Sequence, residues 1–218
     1  MGGATAGAMT DGPAPRYDRC MSEPLRIVAP TIAALGQYVD ALRRGWSPNN
    51  EQPAQARIDQ LDAIAKDGPA FIAAQVDREA RGAPIKLPDG SMVARLPGYV
   101  LWIWDGEFCG TIGLRWQAGT HELPPTCLGH IGYSVVAWKR RHGYATAALA
   151  LMLGHARAEG LEHVLITTNV DNLASQRVIQ ANGGIFVERV EKTAHHSGKA
   201  ALRYRIDLGA IAPKALGA

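Results

Sequence analysis

Ile131-Gly132-Tyr133-Ser134-Val135-Val136, followed by Ala137-Trp138-Lys139 and then Arg140-Arg141-His142-Gly143-Tyr144-Ala145, decides how this chain is read. The first six residues are an apolar run of strand type. From Tyr144 to about Glu159, apolar residues recur at helical spacing: Ala145, Ala148, Leu149, Met152, Leu153 and Ala156. Two cations and a glycine therefore stand between the end of a strand and the start of a helix. A helix N-terminus carries unpaired N–H groups and a partial positive charge, which suit an anion and above all a phosphate. Gly143 removes the Cβ that would keep the backbone away from that anion. Neither the G-x-x-x-x-G-K-[ST] order of a Walker loop nor the G-x-G-x-x-G dinucleotide fingerprint is present at this loop.

Downstream, Val164-Leu165-Ile166-Thr167-Thr168 is a second β-branched strand. Asn169-Val170-Asp171-Asn172 follows, then a short helical pattern from Leu173 to Ala181, closed by Asn182-Gly183-Gly184. Asp171 reads as a helix cap. The order R-x-x-G-x-A after a strand, then a strand, then Asn172-Leu173-Ala174-Ser175 opening a second helix that ends near Gly183, resembles the GNAT N-acetyltransferase superfamily. The likeness is best between about Trp104 and Arg189.

That resemblance implies acetyl-CoA as cosubstrate, with no metal. It implies two adjacent parallel strands, ending near Val136 and Thr168, that splay to admit the pantetheine arm as an added strand would pair. The pyrophosphate would sit on N–H groups from Arg141 through His142, Gly143, Tyr144 and Ala145 to Thr146, with Arg140 and Arg141 as charge partners. Asn172 and Ser175 would approach from the other side. Backbone N–H groups around Val135 and Val136 would hold the oxyanion, an effect worth roughly 3 kcal/mol per donor. Many members carry a tyrosine acid seven residues after the asparagine. Here that position is Ile179, so Ser175 or a water takes the acid role.

For the base, His130 ranks first, on the strand leading to the oxyanion site and with a pKa suited to neutral pH. The competing reading is that it satisfies a core hydrogen bond. Glu122 and His121 come next. His195-His196 read as loop rather than ligands, because no third ligand has suitable spacing.

Composition agrees with one enzyme domain. The chain has 218 residues, 47% hydrophobic and 20% charged, with a net charge of +3. It has no Lys/Arg block of nucleic-acid-tail length and no apolar run approaching the ~18 residues of a membrane span. Neither a nucleic-acid nor a membrane partner is expected. Cys20, Cys109 and Cys127 show no metal spacing, and a reduced, cytoplasmic setting is the default. Residues 1–20, rich in Gly, Ala and Pro, read as a disordered tail, with Met21 a candidate start.

The rest, 21–218, reads as a single domain. A helical insert covers about 31–82: Thr31 caps a helix to Arg44, a second runs from Pro53 to Lys66, and a third from Gly68 to Arg81. The core covers about 99–190. Asp89-Gly90 and a short strand at Val93 to Leu96 precede it. Tyr99 to Trp104 and Glu107 to Trp116 form a hairpin about Asp105-Gly106, Leu128 to Val136 is the next strand, and Leu202 to Leu208 alternates as a half-buried strand. The expected fold is an α/β sandwich, its sheet mixed and largely antiparallel, with helices on both faces.

The activity expected is acetyl transfer from acetyl-CoA to an amine on a small molecule or peptide. An acyl-CoA-binding module without catalysis and an acyltransferase for longer chains are the alternatives, and a homodimer is left open.

Overall fold

Tyr99, Leu101 and Ile103 face one way along their strand and Trp102 the other, and this alternation divides the molecule into two cores. The computed structural model describes residues 23–86, 90–191 and 200–209. The expectations for residues 1–20, Met21, Asp89 and His195-His196 lie outside these.

The elements run β1 (Arg26–Val28), α1 (Leu35–Arg43), α2 (Pro53–Lys66), α3 (Gly68–Ala73), β2 (Val76–Asp77), β3 (Ile85–Lys86), β4 (Met92–Val93), β5 (Gly98–Trp104) and β6 (Phe108–Arg115). Then follow β7 (Ile131–Val135), a 3-10 turn (Ala137–Lys139), α4 (Tyr144–Ala158), β8 (His163–Asn169), α5 (Leu173–Ala181), β9 (Ile185–Glu191) and β10 (Ala200–Asp207). Strands β1-β5-β6-β7 form one sheet in that order, with β2 on β5, and β8-β10-β9 form a second. Every paired neighbour within them is antiparallel. The crossover through α4 brings β8 beside β7 in the same sense. The mixed α/β architecture expected from the sequence is the one observed.

On one face, α4 lays Ala148, Leu149, Met152 and Ala156 against Leu101, Ile103, Ile112 and Leu114. On the other, the helical insert is fixed by aromatics. Tyr38 stacks on Trp102 with ring centroids 5.2 Å apart, and Phe108 and Trp46 meet Tyr38 edge-on. Trp102 is 1% exposed; truncating such a residue to alanine typically costs about 3–5 kcal/mol. The insert is therefore bonded to the sheet by its own core, not draped over it.

Three local readings are corrected. The third helix stops at Ala73, not Arg81, because Val76–Asp77 is captured as a strand on the edge of β5. Strand β9 was not foreseen: its pairing with β10 comes from distant chain, and its apolar residues are consecutive rather than alternating. The first helix begins at Leu35 after a turn, in which Thr31 Oγ1 accepts the Ala34 N–H at 3.3 Å.

Candidate active site

Strands β7 and β8 belong to different sheets and are joined at one place. The His130 N–H donates to the Leu165 carbonyl at 2.7 Å, and the Leu165 N–H donates to His130 Nδ1 at 2.9 Å. Thr167 Oγ1 adds a bond to the Leu128 carbonyl. Gly129 makes this approach feasible, since a Cβ there would lie 2.9 Å from the Leu165 oxygen. Beyond it no ladder joins β7 to β8, which fall in separate sheets, and the gap between them is the wedge.

Parity shows which backbone groups line that wedge. The Arg115 N–H donates to the His130 carbonyl, and the Val136 N–H to the Cys109 carbonyl, so residues 130, 132, 134 and 136 bond to β6. The backbone of Tyr133 and Val135 turns the other way, toward the wedge. This corrects the expectation for Val136, whose N–H is already donated at 2.9 Å to Cys109. By this parity Val135 and Tyr133 share the edge that does not bond to β6. Two neighbouring groups already address this edge: Asn50 Nδ2 donates to the Tyr133 carbonyl at 3.2 Å, and Arg140 Nε to the Val135 carbonyl at 3.1 Å.

Side chains follow the same parity. Ser134 points to the insert, donating from Oγ to the Ser47 carbonyl at 2.8 Å. Tyr133 points across the wedge and pairs its hydroxyl with Ser175 Oγ at 2.8 Å. Ser175 sits in the first turn of α5. The helix is capped by Asn172, whose Oδ1 accepts the Ser175 N–H at 3.1 Å. The cap is thus Asn172 and not Asp171. Burial pushes the Tyr133 phenol up to about 12 against the opposing pull of its Ser175 bond, so it remains a proton-bearing donor. In sequence Tyr133 is one residue of an apolar strand, and nothing local marks its hydroxyl.

The loop at the head of α4 has the form expected of an anion site. Gly143 is the N-cap, with φ +79° and nothing within 4 Å of the place a Cβ would take. The first helical bond runs from the Ala147 N–H to the Gly143 carbonyl at 3.0 Å. The N–H groups of Tyr144, Ala145 and Thr146 therefore have no helical partner. Arg141, at φ +64°, and Gly143 are left-handed on either side of His142, a backbone pattern that gathers N–H groups into a concavity. His142 Nδ1 donates to the Arg140 carbonyl at 2.8 Å. Lys139 is drawn away from the loop mouth by Asp105, with Nζ at 2.9 Å from Oδ2, and Tyr144 donates its hydroxyl to the same carboxylate.

His130 and Glu122 do not stand with these groups. His130 is 0% exposed, its Nδ1 accepts from Leu165, and its Nε2 has no partner. With Nδ1 accepting, the proton of the neutral ring sits on Nε2. Burial, then the nearby His163 and Arg115 charges, bring its pKa down to about 4. A ring so placed ties β7 to β8, and this supports the core hydrogen-bond reading of His130 over the base reading. Glu122 is 73% exposed along its side chain and lies 3.9 Å from His163 at the start of β8. It lines neither the wedge nor the cavity beside it.

That cavity, about 980 Å³, lies on the insert side of β5, β6 and β7. Its floor includes the cross-strand pair Gly113 and Gly132, and its wall includes Asn50 and Glu51. No helix among the described residues is long and apolar enough to cross a membrane, and no group of three metal-binding side chains occurs among them.

Comparison with known proteins agrees with this geometry. The family model described as an acetyltransferase (GNAT) domain matches residues 45–185, more than half of the chain. Among solved structures, the microcin C7 self-immunity acetyltransferase MccE with acetyl-CoA and AMP is similar at TM-score 0.54 and 14% identity, over 84% of this chain and 92% of that one. The ribosomal L7/L12 alpha-N-protein acetyltransferase RimL with coenzyme A gives 0.56 and 14%, over 86% and 96%. Mycobacterium smegmatis RimJ with CoA-disulfide gives 0.55 and 17%, over 85% and 86%. No curated protein sequence matches this one. Wedge, loop and family model lead to one conclusion: the chain belongs to the GNAT acetyltransferase family.

Proposed function

We propose that this protein transfers an acetyl group from acetyl-CoA to a primary amine by direct attack on the thioester. The observation that carries this is the wedge between β7 and β8, with an anion-binding loop at one end and the Tyr133–Ser175 hydroxyl pair bridging its sides. The pyrophosphate takes the N–H groups from Arg141 to Thr146, with Arg140 and Arg141 as charge partners. The Tyr133 and Val135 backbone edge receives the pantetheine amides and supplies N–H groups to the oxyanion. Ser175, hydrogen-bonded to Tyr133, returns a proton to the leaving thiolate. Glu51 replaces His130 as the group that takes the amine proton. It lines the cavity next to Asn50, which already bonds the reacting strand. Asp77, the other lining carboxylate, is held below its ordinary range by bonds from the Gly82 and Arg81 N–H groups and faces Arg95.

RimL and MccE act, by their names, on a protein N-terminus and in self-immunity to a microcin. An amine acceptor, small or peptidic, is the shared chemistry we assign here. Free Cys109 and Cys127 fit a reduced, cytoplasmic setting.

Calorimetric titration with CoA, paired with thiol release from acetyl-CoA across a panel of amines, tests the proposal. Expected are CoA binding and amine-dependent release. Binding without release for any amine identifies a module that holds acyl-CoA without turnover. Faster release from longer acyl-CoAs identifies a different acyl donor.

A further inference from the structure

Four charged side chains line the cavity on the insert side: Glu51, Asp77, Arg95 and Arg115. Two of them cancel. Arg95 Nε lies 3.9 Å from Asp77 Oδ2 and donates to the Ala83 carbonyl, while Asp77 also accepts the N–H groups of Arg81 and Gly82. Arg115 is different. No carboxylate among the described residues lies within ion-pair distance of it, and it ends the strand that pairs with β7. Its guanidinium folds over Gly132: a Cβ at that glycine would lie 3.4 Å from an Arg115 terminal nitrogen. Beneath the guanidinium the sheet carries no side chain of its own, because Gly132 faces Gly113. The Arg115 charge is felt as far as His130, whose proton affinity it lowers.

Gly132 is the immediate neighbour of Tyr133, whose backbone forms the wedge edge. On the acetyl-transfer reading above, the guanidinium thus lies over the residue adjoining the edge that would receive the thioester. Glu51, on the wall beside Asn50, is the carboxylate on the amine's side. The Arg115 cation in the lining of that cavity is complementary to an acceptor carrying a negative group. Arginine presents a planar fork of donors matched to a carboxylate.

We propose that the acceptor is an amine bearing a carboxylate a few bonds away, and that Arg115 binds that carboxylate and so sets specificity. This rests on the acetyl-transfer reading above. Both a free amino acid and a peptide N-terminus followed by an acidic side chain offer this chemistry.

The test compares γ-aminobutyrate with its methyl ester, and the tripeptide Ala-Asp-Ala with Ala-Asn-Ala. Thiol release from acetyl-CoA and calorimetric binding to the CoA-loaded protein are the readouts. The expected result is kcat/KM at least 10-fold higher for the acid of at least one pair, carried by KM. The preferred pair tells the free amino acid from the peptide. Arg115→Gln should abolish the difference through KM while leaving the CoA affinity unchanged; Arg115→Lys should restore much of it. Equal rates for acid and neutral partner, or a loss in Arg115→Gln that is the same for both, overturns the assignment while CoA binding keeps the acetyl-transfer reading intact. Absence of CoA binding refutes that reading and this one together.

Discussion

Asp105 and Lys139, far apart in sequence, are tied by two bonds, Nζ to Oδ2 at 2.9 Å and to Oδ1 at 3.2 Å, on a carboxylate only 3% exposed. The contact joins the β5–β6 hairpin to the loop ahead of α4. Burial alone would raise the Asp105 pKa, but the bonds from Tyr144 and Lys139 outweigh it and hold it at about 2. A carboxylate depressed in the fold contributes stability that is complete above its unfolded pKa near 4 and is lost as pH falls toward 2. Asp105→Asn should therefore lower stability by about 2–3 kcal/mol at neutral pH. It should also weaken CoA binding, because Tyr144 opens the helix that carries the loop. Denaturant melts and CoA calorimetry check both.

His130 sets a different pH window. Its folded pKa of about 4 lies below the free value near 6.5, so the unfolded chain binds more protons between those limits. Stability is complete above about pH 6.5 and should decline as pH falls toward 4. His163 shifts in the same direction, by burial first and then the Arg205 charge. His130→Asn should cost folding stability, flatten part of the Tm-against-pH curve in that window and leave His163's share. A slope unchanged from the parent protein would count against the buried neutral ring.

Gly143→Asp bears on the anion site. The position has open space but a left-handed φ of +79°, so the substitution brings strain of order 1 kcal/mol and no clash. A carboxylate beside two phosphates should cost CoA binding at least ~2 kcal/mol, about 30-fold in Kd. Normal affinity in the folded variant would refute the phosphate loop.

Ser175 and Tyr133 should behave as one unit. Ser175→Ala is expected to lower kcat by about 10- to 100-fold with little change in CoA affinity. Tyr133→Phe should give a smaller loss, and the double variant should be no worse than Ser175→Ala alone. Additive losses would show that the 2.8 Å contact is not used in turnover.

What was legible in the sequence was whatever local chemistry determines. The α2 and α5 bounds follow from a proline at the start of one and a glycine pair after the other, and both agree with the structure. The order of strand, cationic loop, glycine cap and helix was legible because these residues are contiguous. Partners set by tertiary packing were not. His130 is a polar residue on a strand whether it faces solvent or a neighbouring backbone, and only the approach of β8 decides. Tyr133, Arg115 and the Asp105–Lys139 pair acquire meaning from residues across the sheet or the wedge. Strand β9 depends wholly on β10.

Arg141 is one of two non-glycine residues with positive φ among those described, and it sits in the loop proposed above to bind the pyrophosphate. An arginine in this region carries a conformational penalty of order 1 kcal/mol that a glycine avoids. Arg141→Gly should accordingly raise the melting temperature of the ligand-free protein while removing a cation from the pyrophosphate. The two effects have opposite sign at a single position. Selection of variants by heat resistance alone would drift toward a sturdier protein that has lost hold of its cosubstrate, and thermostability screens on this chain should be run with CoA present.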